Sequence, residues 1–532
     1  MSQTVAIDPE ALAKLFAPWN RTDEPGVVVG VSHPTAGAWR AGYGMASLEL
    51  PIANTPRIRM RIGSTSKMFT CLAVLLLQEE GKLAIDDPAR RHVPELPDWA
   101  DGMTLRHFMS HTSGMRCHID LMFQTGNFAR PAPADSALTY LSRQQGVNFP
   151  VGERYSYNNS GYNLLSTVVE RTTGQDFVQF QDQRIFAPLG MIDTKVKRTD
   201  DEMLPNSASL HVRQADGRFE RGYFGVSISG EGAMVSTVED MLIWLKHMHR
   251  PTIGSAASWR EMKTPMRLNN GRTAGYGLGL MESNHRGVQV LHHAGGVMGG
   301  VCMCLTVEDL ELDVIIIANR DDTPVQTLGF DVIDACVQGL AAIAEPAAGA
   351  TTQIAVGSYY CSQTASPLVV AEDEDGAISV KLHDAKLPVC AASDGGLAST
   401  LPVIDLTVTA LDGDSKAVRV ESRGSTDVFR RIEESDDDPK AEADRLVGDY
   451  RCDEVEARAS AILDGDQVKL IMSGPYGRDI FSMRRLSPGI WTSSLGETGF
   501  GGVLEFATDG DRASGFTLST PRTTRLPFTR AD

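Results

Sequence analysis

Nowhere in these 532 residues does an apolar run approach the ~20 positions that a membrane-spanning helix requires. Basic residues are outnumbered: 50 Lys and Arg stand against 68 Asp and Glu, a formal charge of −18. That balance speaks against wrapping nucleic acid or lying on an anionic membrane surface. Cysteine is sparse and scattered, eight residues from Cys71 to Cys452 without a CxxC pair. In so long a chain this pattern argues against a disulfide framework and for reduced thiols. The N-terminal stretch "MSQTVAIDPEALAKLFAPWN" lacks a basic segment followed by an apolar core. It reads as an amphipathic helix and not as a signal peptide, so the expected compartment is the cytoplasm. His107 and His111 have i,i+4 spacing, but no third ligand accompanies them, and neither metal nor cofactor is expected.

What is present is a folded protein of several parts. Hydrophobic residues make up 42% and charged residues 22%, the balance of a globular chain too long for one core. Residues 1–343 mix helix and strand. "GVVVGVSHPTAGAWRAGYG" (26–44) reads as two strands about a turn. "SKMFTCLAVLLLQEEG" (66–81) reads as a buried helix ending at Gly81. "VQVLHHAGGVMGGVCMCLTVEDLELDVIIIANRDD" (288–322) gives three further strands, with Cys302 and Cys304 on one face. Strands at both ends with helices between predict an antiparallel sheet flanked by helices, an α+β arrangement. A linker-like "AEPAAGATT" (344–352) follows. Beyond it come two β units, expected at 353–433 and 444–532 with the acidic run 433–444 as a linker between them. "VGSYYC" (356–361) recurs as "VGDYRC" (447–452), and "DVFRRI" (427–432) as "LPFTRA" (526–531). Duplicated units of this size suit small antiparallel barrels.

Chemistry concentrates in the first part. In "RIGSTSKMFTCLAVLLLQEEGKL" (61–83), Ser64 lies three residues ahead of Lys67 at the start of the apolar helix. A serine there also suits an N-cap, and a lysine a solvated face. The i,i+3 spacing nevertheless places hydroxyl and amine on one face of the first turn. A lysine buried at that point loses proton affinity and can act as a base. In "GERYSYNNSGYNLL" (152–165), Tyr157 is a second candidate base, and the Asn159 amide can hold a substrate carbonyl or orient the lysine. In "LHHAGGVMGG" (291–300), His293 precedes Gly295 and Gly296, whose missing side chains permit close backbone approach.

Taken in this order, Ser64/Lys67, Tyr157/Asn159 and His293/Gly295 resemble the three motifs of the serine β-lactamase and penicillin-binding protein superfamily. "LRHFMSHTSGM" (105–115), "APLGMIDT" (187–194), "GAMVSTVEDM" (232–241) and "YGLGL" (276–280) also look like segments of that family, over about residues 10 to 340. The resemblance implies that Ser64 is the nucleophile and that Lys67 and Tyr157 share general-base and general-acid duty. It implies an oxyanion hole from the backbone N–H groups of Ser64 and Gly296. His293 stands where many β-lactamases carry a lysine that meets a substrate carboxylate. A histidine is a weaker, pH-dependent anchor, which weakens the case for penicillin hydrolysis or D-Ala-D-Ala carboxypeptidase activity.

Two C-terminal barrels in tandem are similar to the architecture of the bacterial D-aminopeptidases. Those enzymes release an N-terminal D-amino acid from small peptides and amides, usually as homodimers. In them a loop of the last barrel narrows the active site. The corresponding stretch is expected to be "IMSGPYGRDIF" (471–481), with Tyr476, Arg478 and Asp479 as its contacts. The substrate's α-ammonium needs an acidic partner, for which Asp479 and Glu231 are both open. An esterase or transacylase on the same scaffold, and a non-catalytic penicillin-recognising module, are the alternatives.

Overall fold

The computed structural model describes residues 3–126, 135–342, 352–373, 376–383, 385–432, 439–496 and 500–531. The linker-like stretch 344–352 lies almost wholly outside them. Near the N-terminus, α1 (Pro9–Phe16) is capped by Asp8 and buries Leu12 and Phe16, the apolar face of the amphipathic segment. A six-stranded antiparallel sheet follows the order β3-β4-β5-β6-β1-β2. These strands are β1 (Val27–His33), β2 (Gly37–Tyr43), β3 (Met281–His285), β4 (Val288–Val297), β5 (Gly300–Val307) and β6 (Leu312–Ala318).

The runs VVVGV and IIIA are apolar at every position because both faces of the sheet are covered. Val27, Val29 and Val31 point into one cluster with Leu12, Phe16 and Ile316. Val28, Ile315 and Ile317 point into the other, which also holds Cys302 and Cys304. That second core is built around α2 (Lys67–Glu79), whose residues from Lys67 to Leu77 are all buried. A helix apolar on every side has to be interior. Beside it runs α4 (Asn159–Thr173), capped by Asn158 and closed by Gly174 with φ +70°. Between them in sequence lies the short α3 (His118–Gln124). Further on, α5 (Val238–His249) and α6 (Val325–Cys336) complete the helical cover.

The C-terminal part forms two closed barrels of eight antiparallel strands each. The first runs from Gly357–Cys361 to Ser425–Arg431, the second from Gly448–Cys452 to Thr523–Arg530. The sequence repeat has a structural counterpart in each. Tyr359 and Tyr450 are buried, and their hydroxyls donate to the carbonyls of Ala355 and Leu446, four residues back, at 2.7 and 2.5 Å. Arg431 and Arg530 of the closing strands reach the carbonyls of Val356 and Val447. The acidic run behaves differently from a linker where it is described: α7 (Pro439–Leu446) buries Ala443 and Leu446 against the second barrel. Its alternating small and acidic residues hide a one-sided helix.

Both barrels pack on the N-terminal region. Arg272 pairs with Glu421 at 3.1 Å, and Arg154 pairs with Asp427. For the second barrel the buried pair Arg116–Glu454, at 2.8 Å, is central. Tyr360 donates to Glu505 at 2.9 Å, joining barrel to barrel. Among the described residues no helix is long and apolar enough to cross a membrane.

Candidate active site

Ser64 lies in a 3-10 turn (Gly63–Ser66) that leads directly into α2. Gly63 has φ +51°, and a Cβ there would come within 2.6 Å of the Gly296 nitrogen. A Cβ on Gly295 would sit 1.9 Å from the Ile62 carbonyl oxygen and 3.1 Å from the Ser64 nitrogen. Absent side chains thus allow β4 to lie against the serine turn, backbone to backbone. Gly296 has nothing within 4 Å of its Cβ position and lines the open cleft.

Lys67, fully buried, donates to Ser64 Oγ at 3.1 Å, to Asn159 Oδ1 at 2.9 Å and to the Glu231 carbonyl at 2.5 Å. Its Nζ also lies 4.8 Å from the centre of the Tyr157 ring. Burial drives the amine down to about 7, against the opposing pull of Glu231. A neutral fraction at ordinary pH is what a base for a serine hydroxyl requires. Glu231 is only 2% exposed. Burial pushes its carboxyl upward, while Asn163 Nδ2 and Ser229 N–H donate to its two oxygens at 2.9 and 3.0 Å.

Tyr157 belongs to an aromatic nest. Its ring lies 4.3 Å from His111, which in turn packs on Tyr155, Tyr162 and Tyr276. His111 accepts from the Asn158 N–H at 3.0 Å, so the same loop that carries Tyr157 fixes its stacking partner. The Tyr157 hydroxyl is buried, and Ser64 is the one side chain close enough to act on it as a hydrogen-bond partner, short of full hydrogen-bond geometry. Burial pushes the phenol well above its usual range, with Ser64 the first influence opposing the shift. A phenol so placed holds its proton at neutral pH.

His293 is 2% exposed. Its Nδ1–H donates to the Ala294 carbonyl at 2.6 Å, so Nε2 is the acceptor for the Tyr276 hydroxyl at 3.1 Å. Burial, with Lys67 nearby, lowers it to about 3. The imidazole is neutral and fully engaged, and the pH-dependent cation expected at this position is absent from it. The signal for this was in "YGLGL": its first residue, Tyr276, is the partner. His118 is also neutral. Its Nε2 lies 3.9 Å from Glu231, but burial lowers it to about 3, so the two form no ion pair.

Ser64, Tyr157, Asn159, Glu231, His293, Gly295 and Gly296 line one cavity of about 740 Å³. Its remaining wall is largely apolar, including Phe123, Phe224, Met281 and Met298, and the first barrel contributes Leu401. The described lining does not include Tyr476, Arg478 or Asp479. Those residues belong to a hairpin packed against the end of α3: the Tyr476 ring lies 6.3 Å from Tyr140, and a Cβ on Gly126 would meet the Arg478 nitrogen at 2.7 Å. The second barrel reaches the cleft through Arg522, in the turn between its last two strands. In sequence that turn, "STPRTT", is a short polar interruption, and only docking of the barrel reveals where it lies. His107 serves to cap a helix with Thr104, and among the described residues no cluster of His, Cys, Asp or Glu is placed to hold a metal.

The sequence pattern of the family described as Beta-lactamase matches residues 12–335, and the chain belongs to that family. Penicillin-binding protein 4* of Bacillus subtilis (strain 168) is 29% identical over 277 residues, 49% of this chain and 60% of that protein. The D-aminopeptidase of Gluconobacter oxydans (strain 621H) is 24% identical over 476 residues, 88% of this chain and 87% of its own length. Among solved structures, the octameric penicillin-binding protein homologue from Pyrococcus abyssi superposes with a TM-score of 0.55 at 18% identity. That match covers 98% of this chain and all of the other, and it bears on the fold alone.

Proposed function

We propose that the protein is a serine peptidase or amidase that forms an acyl-enzyme on Ser64 and releases N-terminal D-amino acids from short peptides and amides. One observation carries the acyl-transfer reading: the buried Lys67 amine, lowered to about 7, bonded to Ser64 Oγ at 3.1 Å. In this reading Lys67 takes the Ser64 proton as Oγ adds to the carbonyl carbon. Backbone N–H groups of Ser64 and Gly296 receive the oxyanion. The departing amine takes a proton from Tyr157, which regains it from the lysinium, and water then cleaves the ester. The D-stereospecific part rests on resemblance to the D-aminopeptidases, whose similarity covers 88% of this chain.

A second reading, esterase or transacylase, draws on a specific feature of the cleft. Its only acidic residue among those described is Glu231, each of whose oxygens already accepts a hydrogen bond, so an α-ammonium meets no carboxylate there without a partner of its own. The test is release of p-nitroaniline from D-alanine and L-alanine p-nitroanilides, with Ser64→Ala as the blank. The expected outcome is turnover of the D-isomer that the substitution abolishes. Cleavage of a simple ester through Ser64, with neither anilide touched, would move the assignment to the second reading.

A further inference from the structure

Arg522 is part of the second barrel, yet its side chain lines the cleft that holds Ser64. The turn that carries it is fastened through its backbone. Cys117 N–H and the Asn148 amide donate to the Arg522 carbonyl at 3.1 and 2.9 Å, and Thr524 N–H donates to Asn148 Oδ1 at 2.7 Å. The guanidinium lies 5.7 Å from the centre of the Tyr157 ring, beside the phenol that would protonate a departing amine. Its side chain is 37% exposed, and its carboxylate partner Asp120 stands at 3.8 Å, longer than a hydrogen bond. The other Asp120 oxygen is occupied by Thr520 at 2.7 Å. The guanidinium also meets the Cys117 thiol, and beyond these two partners its planar, always charged fork of five N–H donors has capacity left for the cavity.

The charge pattern of the cleft gives this residue a ligand. Among the described residues of the wall, Arg522 is the only Lys or Arg and Glu231 the only acid. His293, at the point where the family resemblance implies a cation, is neutral. Most of the remaining wall is apolar. A free carboxylate entering the cleft finds an oppositely charged side chain only at Arg522 among the described wall residues.

We propose that Arg522 binds the free carboxylate of the amino acid that leaves, so that the preferred substrates are dipeptides with an unblocked C-terminus and not their amides. Two parallel N–H···O contacts from one guanidinium match a carboxylate in geometry and charge. The assignment deepens the peptide-hydrolysis reading above and rests on it for the identity of the leaving group.

The test uses the full chain as Ser64→Ala, so that binding is read without turnover. D-phenylalanyl-glycine and D-phenylalanyl-glycinamide are titrated calorimetrically; they differ only at the terminal carboxylate. The expected preference for the acid is about tenfold, or ~1.4 kcal/mol. It should fall below about twofold when Arg522→Gln is added, and shrink for the Arg522-containing protein as salt rises to ~0.5 M, because the group is partly exposed. The salt series needs no second substitution and stands even if the glutamine variant folds poorly. Equal affinities, a preference that survives both Arg522→Gln and salt, or no binding of either peptide would overturn the proposal. A salt-sensitive preference in Ser64→Ala, with neither peptide hydrolysed by the unsubstituted protein, would retire the aminopeptidase reading and leave Arg522 as the carboxylate site.

Discussion

Between Ser64, Asn159 and the Glu231 carbonyl, the Lys67 amine has three oxygen partners and no exposure to water. Burial disfavours its charge, and the sign of the pH effect follows. Below about 7 the amine is protonated and cannot accept the Ser64 proton, so kcat/KM falls as pH drops through that value. Glu231 opposes the burial effect on Lys67, so Glu231→Gln should move the acid limb of the profile to lower pH; a limb that stays or rises would contradict this coupling. The same shift bears on stability. Between about 7 and the unfolded value of ~10.4, the unfolded chain holds a proton that the native lysine does not, so this residue's contribution to stability improves as pH rises across that window. The Ser64–Lys67 pair was legible in sequence because three residues of helix decide its geometry. The charge state of His293 was not, because burial sets it, with Lys67 close by, and both follow only from the assembled cleft.

At the scale of elements, the site depends on how closely β4 lies against the turn that carries Ser64. Gly295 and Gly296 are neighbours in sequence with opposite demands. Gly295→Ala places a methyl 1.9 Å from the Ile62 carbonyl, so the strand or the turn has to move. A displacement of this order is expected to lower kcat/KM on a simple ester by about a hundredfold. Gly296→Ala meets nothing within 4 Å and should leave stability within ~0.5 kcal/mol of the unsubstituted protein. Thermal midpoints and ester kinetics of the two variants check both halves; equal behaviour would mean that the close approach does not matter. The sheet itself was readable, since its apolar runs allow little else. The helix at Pro439–Leu446 was hidden within a run of acids that reads as a linker, because only Ala443 and Leu446 are buried and the leucine lies beyond the acidic run.

At the scale of the molecule, the cleft is finished by parts far away in the chain, and its described lining takes Arg522 from the second barrel and none of Tyr476, Arg478 or Asp479, the residues that the sequence suggested. A polar turn in a barrel carries no mark of what it will dock against; 471–481 and 519–524 look alike until the barrel is seated. The seat is Arg116. Its side chain, 6% exposed, binds Glu454 at 2.8 Å and the carbonyls of Thr524 and Arg525 at 3.2 and 3.3 Å, next to the turn bearing Arg522. Glu454 also accepts from Gln145 N–H at 2.9 Å. Removing one member of a buried pair strands the other without compensation, at a cost of ~3–5 kcal/mol. Glu454→Ala is therefore expected to loosen the second barrel without unfolding either part. Calorimetry should show its melting separate from that of the N-terminal region, and hydrogen exchange should rise in both 115–118 and 519–525. A single transition at the unsubstituted temperature, with exchange unchanged in both segments, would mean that the apolar contacts seat the barrel unaided and that Arg116 only fills a gap.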